Sequence, residues 1–235
     1  MGVCPQKIIV WELLTCREQL SFVGGMYGLA RAEARRRAER LLADLGLAEK
    51  AKVQARKLSG GMQRRLNLAL GLMHDPDFVF LDEPEAGLDP QSRVLVREYI
   101  ARLATTKAVV LTTHNMDEAD RVASRVVVID RGAVLALGTS AELKKGLGEA
   151  ELLEVDLLEK LPAARAESLA QTLRPFGAVE FQEASIALRC SRAAGHIAPL
   201  MQALDAAGVR VGDVRLRQPT LEDVFLKLTG RRLRE

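Results

Sequence analysis

Phe78-Val79-Phe80-Leu81-Asp82-Glu83 is a run of four apolar residues that ends in two adjacent acids. A short continuous apolar run of this kind reads as a strand buried in a parallel sheet. Its carboxylates then sit at the C-terminal edge of the sheet, where parallel α/β sheets bind their ligands. The first acid, Asp82, is suited to hold Mg²⁺ directly or through water. The second, Glu83, is suited to polarise an attacking water. Alone, the run is equally compatible with a strand that ends in a polar turn.

The elements around this run repeat the pattern. Upstream, Met62, Leu66, Leu70 and Met73 recur at helical spacing after Ser59, and Asp75-Pro76 makes a turn into the strand. Downstream, Asp89-Pro90 reads as a helix N-cap followed by its first residue. Ala108-Val109-Val110-Leu111 is a second buried strand, and a helix starts near Met116. A strand at 125–129 turns at Asp130-Arg131-Gly132 into a strand at 133–137. Strands alternating with helices predict a parallel sheet covered on both faces, with an antiparallel hairpin at its edge.

Nearer the N-terminus, Thr15 and Glu18 form a capping-box pair that opens a helix through Leu20 and Phe22. Gly24, Gly25 and Gly28 are expected to loosen or end it. Ala34, Ala38, Leu41, Leu42 and Leu45 form a second helical stripe closed by Gly46, with the arginines at 35, 36, 37 and 40 mainly on the solvated face.

The pattern changes near residues 144–149, where Gly146 and Gly148 suggest a linker. Beyond it the order is strand (151–157), helix (162–174), strand (177–182), strand (185–190), helix (195–207), strand (209–217) and a helix from Thr220. This βαββαβ order predicts a small α+β, ferredoxin-like domain. The fold class is therefore α/β. An N-terminal domain at 1–145, with a helical subdomain at about 13–74, precedes an accessory domain at 150–235.

Composition narrows the function classes. The 235 residues are 48% hydrophobic and 28% charged, with a net charge of +3. That balance gives no electrostatic argument for nucleic acid or membrane attraction. The locally basic residues 231–234 read as a solvated tail. Three scattered cysteines, Cys4, Cys16 and Cys190, suggest neither a disulfide framework nor a metal site and fit a reducing cytosol. No apolar run reaches the ~18 residues that a membrane helix requires, and no signal peptide is visible. Any membrane role is expected from the cytoplasmic side, through a partner.

Three further segments carry chemistry. Leu58-Ser59-Gly60-Gly61-Met62-Gln63 precedes a helix, so its glycines allow close approach of a phosphate and its N–H groups favour an anion. In Leu111-Thr112-Thr113-His114, the histidine just past a strand end can donate to a γ-phosphate. Gly87-Leu88-Asp89-Pro90 is by itself a turn and a helix start. Alone, the first segment reads as a serine N-cap before loose glycines, and the histidine as structural.

Order and spacing together resemble the ATP-binding-cassette (ABC) ATPase family over residues 1 to about 145. Residues 58–63 are similar to its signature loop, 78–83 to its Walker B strand and catalytic glutamate, and 87–90 to its D-loop. His114 resembles its switch histidine. Gly2-Val3-Cys4-Pro5-Gln6, with Leu14, Thr15 and Glu18, resembles its Q-loop region. Thr113-His114-Asn115-Met116-Asp117-Glu118-Ala119-Asp120 fits it as well. Pro219-Thr220-Leu221-Glu222-Asp223-Val224-Phe225 is similar to the end of exporter ATPase subunits for drugs and polysaccharides.

The resemblance implies ATP and Mg²⁺ as cofactors. It implies that Glu83 activates water, that Asp82 and Gln6 serve the metal, and that His114 contacts the γ-phosphate. Ser59, Gly60, Gly61 and Gln63 would meet ATP held by a second ATP-binding subunit, and Asp89 would couple the two sites. A transmembrane permease is the implied partner, contacted near Gln6 from the inner face of the membrane. A soluble relative acting on DNA or ribosomes is not expected, so no nucleic-acid partner is.

Two departures stand out. No G-x-x-x-x-G-K-[ST] occurs in the chain. In the family that loop wraps the phosphates and lies upstream of the Q-loop. The expectation is an ATPase domain lacking its phosphate loop, inactive alone, with strands 78–82 and 108–112 exposing edges and apolar faces. A non-catalytic regulatory or partner subunit is the alternative. Glu85 stands where the family usually has Ser or Thr. It either crowds the site with like charge or points outward without effect.

Overall fold

The computed structural model describes residues 1–146, 151–182, 184–190 and 193–230. The glycine at 148, the arginines at 231, 232 and 234 and the remainder of the basic tail lie outside the described residues. Two compact units divide the chain, Met1–Val122 and Ala123–Glu235. No helix among the described residues is long and apolar enough to cross a membrane.

In the first unit, β1 (Gly2–Cys4), β2 (Phe78–Asp82) and β3 (Ala108–Thr112) form a parallel sheet in the order β1-β2-β3. The register pairs Cys4 with Leu81, and Leu81 with Leu111, so all three strands end at one level. Helix α1 (Cys16–Met26) is opened by the expected Thr15–Glu18 capping box, and α2 (Arg31–Asp44) packs against it. Helix α3 (Gly60–Leu72) lies on β1, and α4 (Pro90–Leu103) and α5 (Met116–Val122) follow β2 and β3. Cys4, Leu20, Leu42, Leu66, Met73, Val79, Leu81 and Ile100 share one core.

Gly24 and Gly25 do not break α1. A β-carbon at Gly24 would stand 2.9 Å from both Ala34 Cβ and Met73 Cε. The glycine therefore lets α1 approach α2 and α3, and the helix ends at Met26, just ahead of Gly28, whose φ is +78°.

The two faces of the sheet differ. Val79 and Leu81 point into the core, whereas Val3, Phe78, Phe80 and Val110 are 51%, 59%, 41% and 49% exposed. Among the described residues the sheet is covered on one face rather than two, and β1 and β3 are its edges. Strands β4 (Val126–Asp130) and β5 (Ala133–Gly138) turn at Arg131 and Gly132, both with positive φ. This hairpin forms its own two-stranded sheet instead of an edge of the parallel one. It packs against α6 (Ser140–Lys145) in the second unit.

The rest of the second unit is β6 (Glu151–Leu157), α7 (Ala163–Leu173), β7 (Ala178–Gln182), β8 (Ser185–Cys190), α8 (Ala193–Ala206), β9 (Val211–Arg217) and α9 (Leu221–Thr229). The antiparallel order β7-β8-β6-β9 is the ferredoxin-like arrangement that the βαββαβ pattern predicts. Leu153, Val155, Leu169, Leu173, Ile186, Leu188, Leu200 and Leu204 build its core.

Helix α9 is fixed by charge. Thr220 and Asp223 make a reciprocal capping box. Arg217 donates to both carboxylate oxygens of Asp223 at 2.6 and 3.1 Å and to Glu154 at 2.8 Å. Burial pushes the Asp223 carboxyl up, but hydrogen bonds from Arg217 and Thr220 outweigh it and hold its pKa below the ordinary value. A depressed carboxylate contributes stability above its unfolded pKa and loses it as pH falls through the folded one. Asp223→Ala is expected to cost about 2 kcal/mol at pH 7 from the lost cap and charged hydrogen bonds. In urea titrations the variant and the parent chain should converge in acid.

Candidate functional site

The site lies beyond the C-terminal ends of β2 and β3. Asp82 pairs with Thr112 in the register, and the Thr112 hydroxyl donates to Asp82 Oδ1. That bond leaves the second carboxylate oxygen for a ligand. Glu83, the next residue, has φ +51°, which turns its side chain off the strand path. Its N–H still reaches Thr112 O at 3.0 Å. Its Oε1 accepts the backbone N–H of His114 at 3.0 Å and lies 2.7 Å from His114 Nδ1. The carboxylate is mostly covered, while the His114 ring is largely exposed and free to meet a ligand. A non-glycine residue held at positive φ beside two specific contacts is backbone strain of the kind that clusters at active sites.

Ser59 caps α3 by accepting the Met62 N–H at 3.3 Å. A β-carbon at Gly60 would meet nothing within 4 Å, so this position opens to solvent. One at Gly61 would stand 3.6 Å from Asp89 Oδ2 and 3.7 Å from Ser92 Oγ. The start of α3 therefore borders the start of α4. Asp89 caps α4 through Ser92, accepting its N–H at 2.9 Å and its hydroxyl at 2.7 Å. These bonds, the hydroxyl's foremost, lower the Asp89 pKa.

The structure brings Asp82, Glu83 and His114 together and sets Ser59, Gly60 and Gly61 beside Asp89. It gives Gln63 another job: the side-chain amide donates to Ala55 O at 3.0 Å. Gln6 lies two residues beyond β1, with an exposed side chain and a carbonyl that accepts from Arg64. Among the described residues, no group of three or more His, Cys, Asp or Glu is arranged to hold a metal. One carboxylate and one amide at a strand edge fit Mg²⁺, which keeps waters and phosphate oxygens in its shell rather than taking a full protein cage.

Glu85 neither points outward nor adds free charge. It is 5% exposed and forms a two-pronged pair with Arg97 of α4, at 2.9 and 2.6 Å. That pair offsets the like charge that the sequence placed beside Asp82 and Glu83. It also ties the loop after β2 to α4. Sequence reasoning missed two members of this region, Arg97 and Arg64, and gave Glu118 no role beyond its place in the 113–120 run. The first two look like ordinary solvated helix arginines. The long reach from 85 to 97 leaves no local spacing signal.

Glu118 on α5 is almost fully buried, with Oε1 unpaired. Burial raises its pKa to about 7; Thr113 opposes the shift, Glu85 and Glu83 add to it, and Arg97 opposes it. A raised carboxyl keeps its proton in the folded state, so stability falls as pH rises from the unfolded value near 4.5 to about 7. Glu118→Gln is expected to stabilise the chain by about 2 kcal/mol at pH 8 and to change little at pH 4. Urea midpoints at the two pH values are the check.

The sequence and the fold both resemble those of known proteins. A family profile described as "ABC transporter" matches residues 1–86. The linearmycin resistance ATP-binding protein LnrL of Bacillus subtilis (strain 168) is 34% identical over all of this chain and 76% of its own length. The daunorubicin resistance ATP-binding protein DrrA3 of Streptomyces coeruleorubidus is 38% identical over all of the chain and 74% of its own. A solved structure of the ATP binding subunit of an ABC transporter superposes with a TM-score of 0.56 and 28% identity, covering 63% of this chain and 62% of that one. The mixed α/β architecture is thus an ABC ATPase fold, and the chain belongs to the ABC transporter family as one of its ATP-binding proteins.

Proposed function

We propose that this chain is the ATP-binding subunit of an exporter that removes drug-like compounds, working from the cytoplasmic face on a transmembrane permease. The observation that supports it most is the paired arrangement at the sheet edge, Asp82 with Thr112 and Glu83 with His114. The relatives named for linearmycin and daunorubicin resistance support the exporter class. The ATPase domain is proposed as residues 1–145, its helical subdomain as about 13–74, and the accessory domain as 150–235. The β4–β5 hairpin belongs to the second compact unit.

Phosphoryl transfer to water depends on positioning and charge stabilisation. Glu83 would accept a proton from the attacking water. The backbone N–H and Nδ1 of His114 both hold the Glu83 carboxylate in place, so the imidazole would donate to the γ-phosphate through Nε2. Asp82 and Gln6 would hold Mg²⁺, which when bound neutralises phosphate charge. Ser59, Gly60 and Gly61 would contact ATP on a second ATP-binding subunit, where the open Gly60 leaves room for a phosphate. Gln63 would support that segment through Ala55, and Asp89, bordering Gly61, would relay between the two sites.

The 235 residues hold no G-x-x-x-x-G-K-[ST]. The phosphates are therefore proposed to be gripped by a loop supplied from outside them. The same observation favours a second reading, a non-catalytic subunit that lends Ser59, Gly60 and Gly61 to an intact ATPase.

Calorimetric titration of the chain with Mg-ATP is expected to show no micromolar binding; micromolar affinity would overturn the external-loop reading. In the chain assembled with its permease and a second ATP-binding subunit, Glu83→Gln should lower ATP turnover about 100-fold or more. Unchanged turnover would favour the lending subunit.

A further inference from the structure

Arg64 is the most unusual charge in the first unit. It is 4% exposed and makes no ion pair among the described residues. Its two terminal nitrogens are answered by main chain alone, and its buried Nε has no hydrogen-bond partner among the described residues. Nη1 donates to the carbonyls of Pro5, at 3.1 Å, and Gln6. Nη2 donates to those of Asp82, at 2.7 Å, and Glu83. One prong thus holds the end of β1 and the other the end of β2. The planar fork of arginine suits this bridge, whereas a lysine ammonium is a compact point charge.

The helix that carries Arg64 has little freedom to slide on these strands. One turn on, Asn67 accepts the Ile9 N–H at 3.0 Å and donates to Pro5 O at 3.3 Å. A β-carbon at Gly2 would stand 2.4 Å from Gly71 O, so the backbones of β1 and α3 are in contact. At the other end, Gly60 and Gly61 open the same helix one turn before Arg64. A shift of the 59–61 segment therefore acts on the four carbonyls through a rigid lever. The carbonyl of Glu83 is the sensitive one. Its residue sits at φ +51°, and the carbonyl also accepts the Ala86 N–H at 3.1 Å.

We propose that Arg64 is a positioning residue that couples the placement of Ser59-Gly60-Gly61 to the backbone conformation of Gln6 and Glu83. It rests on the proposed reading for what that segment meets, namely a partner's ATP. In that setting a segment seated on the partner's nucleotide would set the aim of Glu83 in its own subunit. Turnover at one site would then sense occupancy at the other.

Hydrogen exchange on the full chain tests the coupling without nucleotide. Arg64→Met should speed exchange in peptides spanning 83–88 and 5–9 by tenfold or more, with α1 and the second unit unchanged. Ser59→Ala, which removes the α3 cap, should speed exchange at 83–88 in the parent chain and add nothing in the Arg64→Met background. Arg64→Lys, which keeps the charge but not the fork, should show the same pattern at smaller size and serves if the methionine variant does not fold. Wild-type exchange at 83–88 in the variants would overturn the proposal. So would a uniform rise across the first unit, or additive effects of the two substitutions. Failure of the ATP experiments with this pattern intact would count against the proposed function alone.

Discussion

The structure of the candidate site depends on the parallel register of β1, β2 and β3. Cys4, Leu81 and Leu111 lie in one row, so three strands end together and their following residues meet at one edge. Parallel pairing needs a crossover between strands, and here helices α3, α4 and α5 lie along the chain between or after them. The register also explains the pairing of side chains. Asp82 meets Thr112 because they are partners across the sheet, and Glu83 reaches His114 because both lie just beyond that row. A slip of one residue would send Val79 and Leu81 to the exposed face and separate every one of these contacts.

That register places strand-end carbonyls and carboxylates side by side, and the fold answers them with positive charge, buried in Arg64 and partly buried in Arg97. Arg64 takes the carbonyls of two strands, and Arg97 draws Glu85 out of the acidic edge. Burying an unpaired charge is costly, so each of these arginines persists only with its acceptors in place. The second unit uses the same device at a smaller scale. Arg217 joins Glu154 on β6 to Asp223 on α9 and so fixes the last helix on its sheet.

Much of this was legible in the sequence because local chemistry and tertiary role agree. The run 78–83, the Thr15–Glu18 box, Asp89-Pro90 and the βαββαβ order each form the element their residues favour. Ser59 likewise caps the helix it precedes. What stayed hidden depends on partners distant in the chain. Arg64 acts on residues 5, 6, 82 and 83, and Glu85 on residue 97. Nothing in the spacing separates Arg64 from its neighbour Arg65, which donates to Leu45 O instead. Gly24 is hidden for a related reason: a glycine there is expected to loosen or end the helix, but the close approach of Ala34 and Met73 requires it inside α1.

The β2 and β3 ends and the start of α3 are proposed to serve one nucleotide chemistry from two sides. A structure of the chain assembled with its second ATP-binding subunit and permease, with Mg²⁺ and a non-hydrolysable ATP analogue bound, tests it most directly. The γ-phosphate is expected to face Glu83 and His114, with a Ser59-Gly60-Gly61 segment against the triphosphate held on the opposite subunit. Nucleotide bound away from both segments would contradict it.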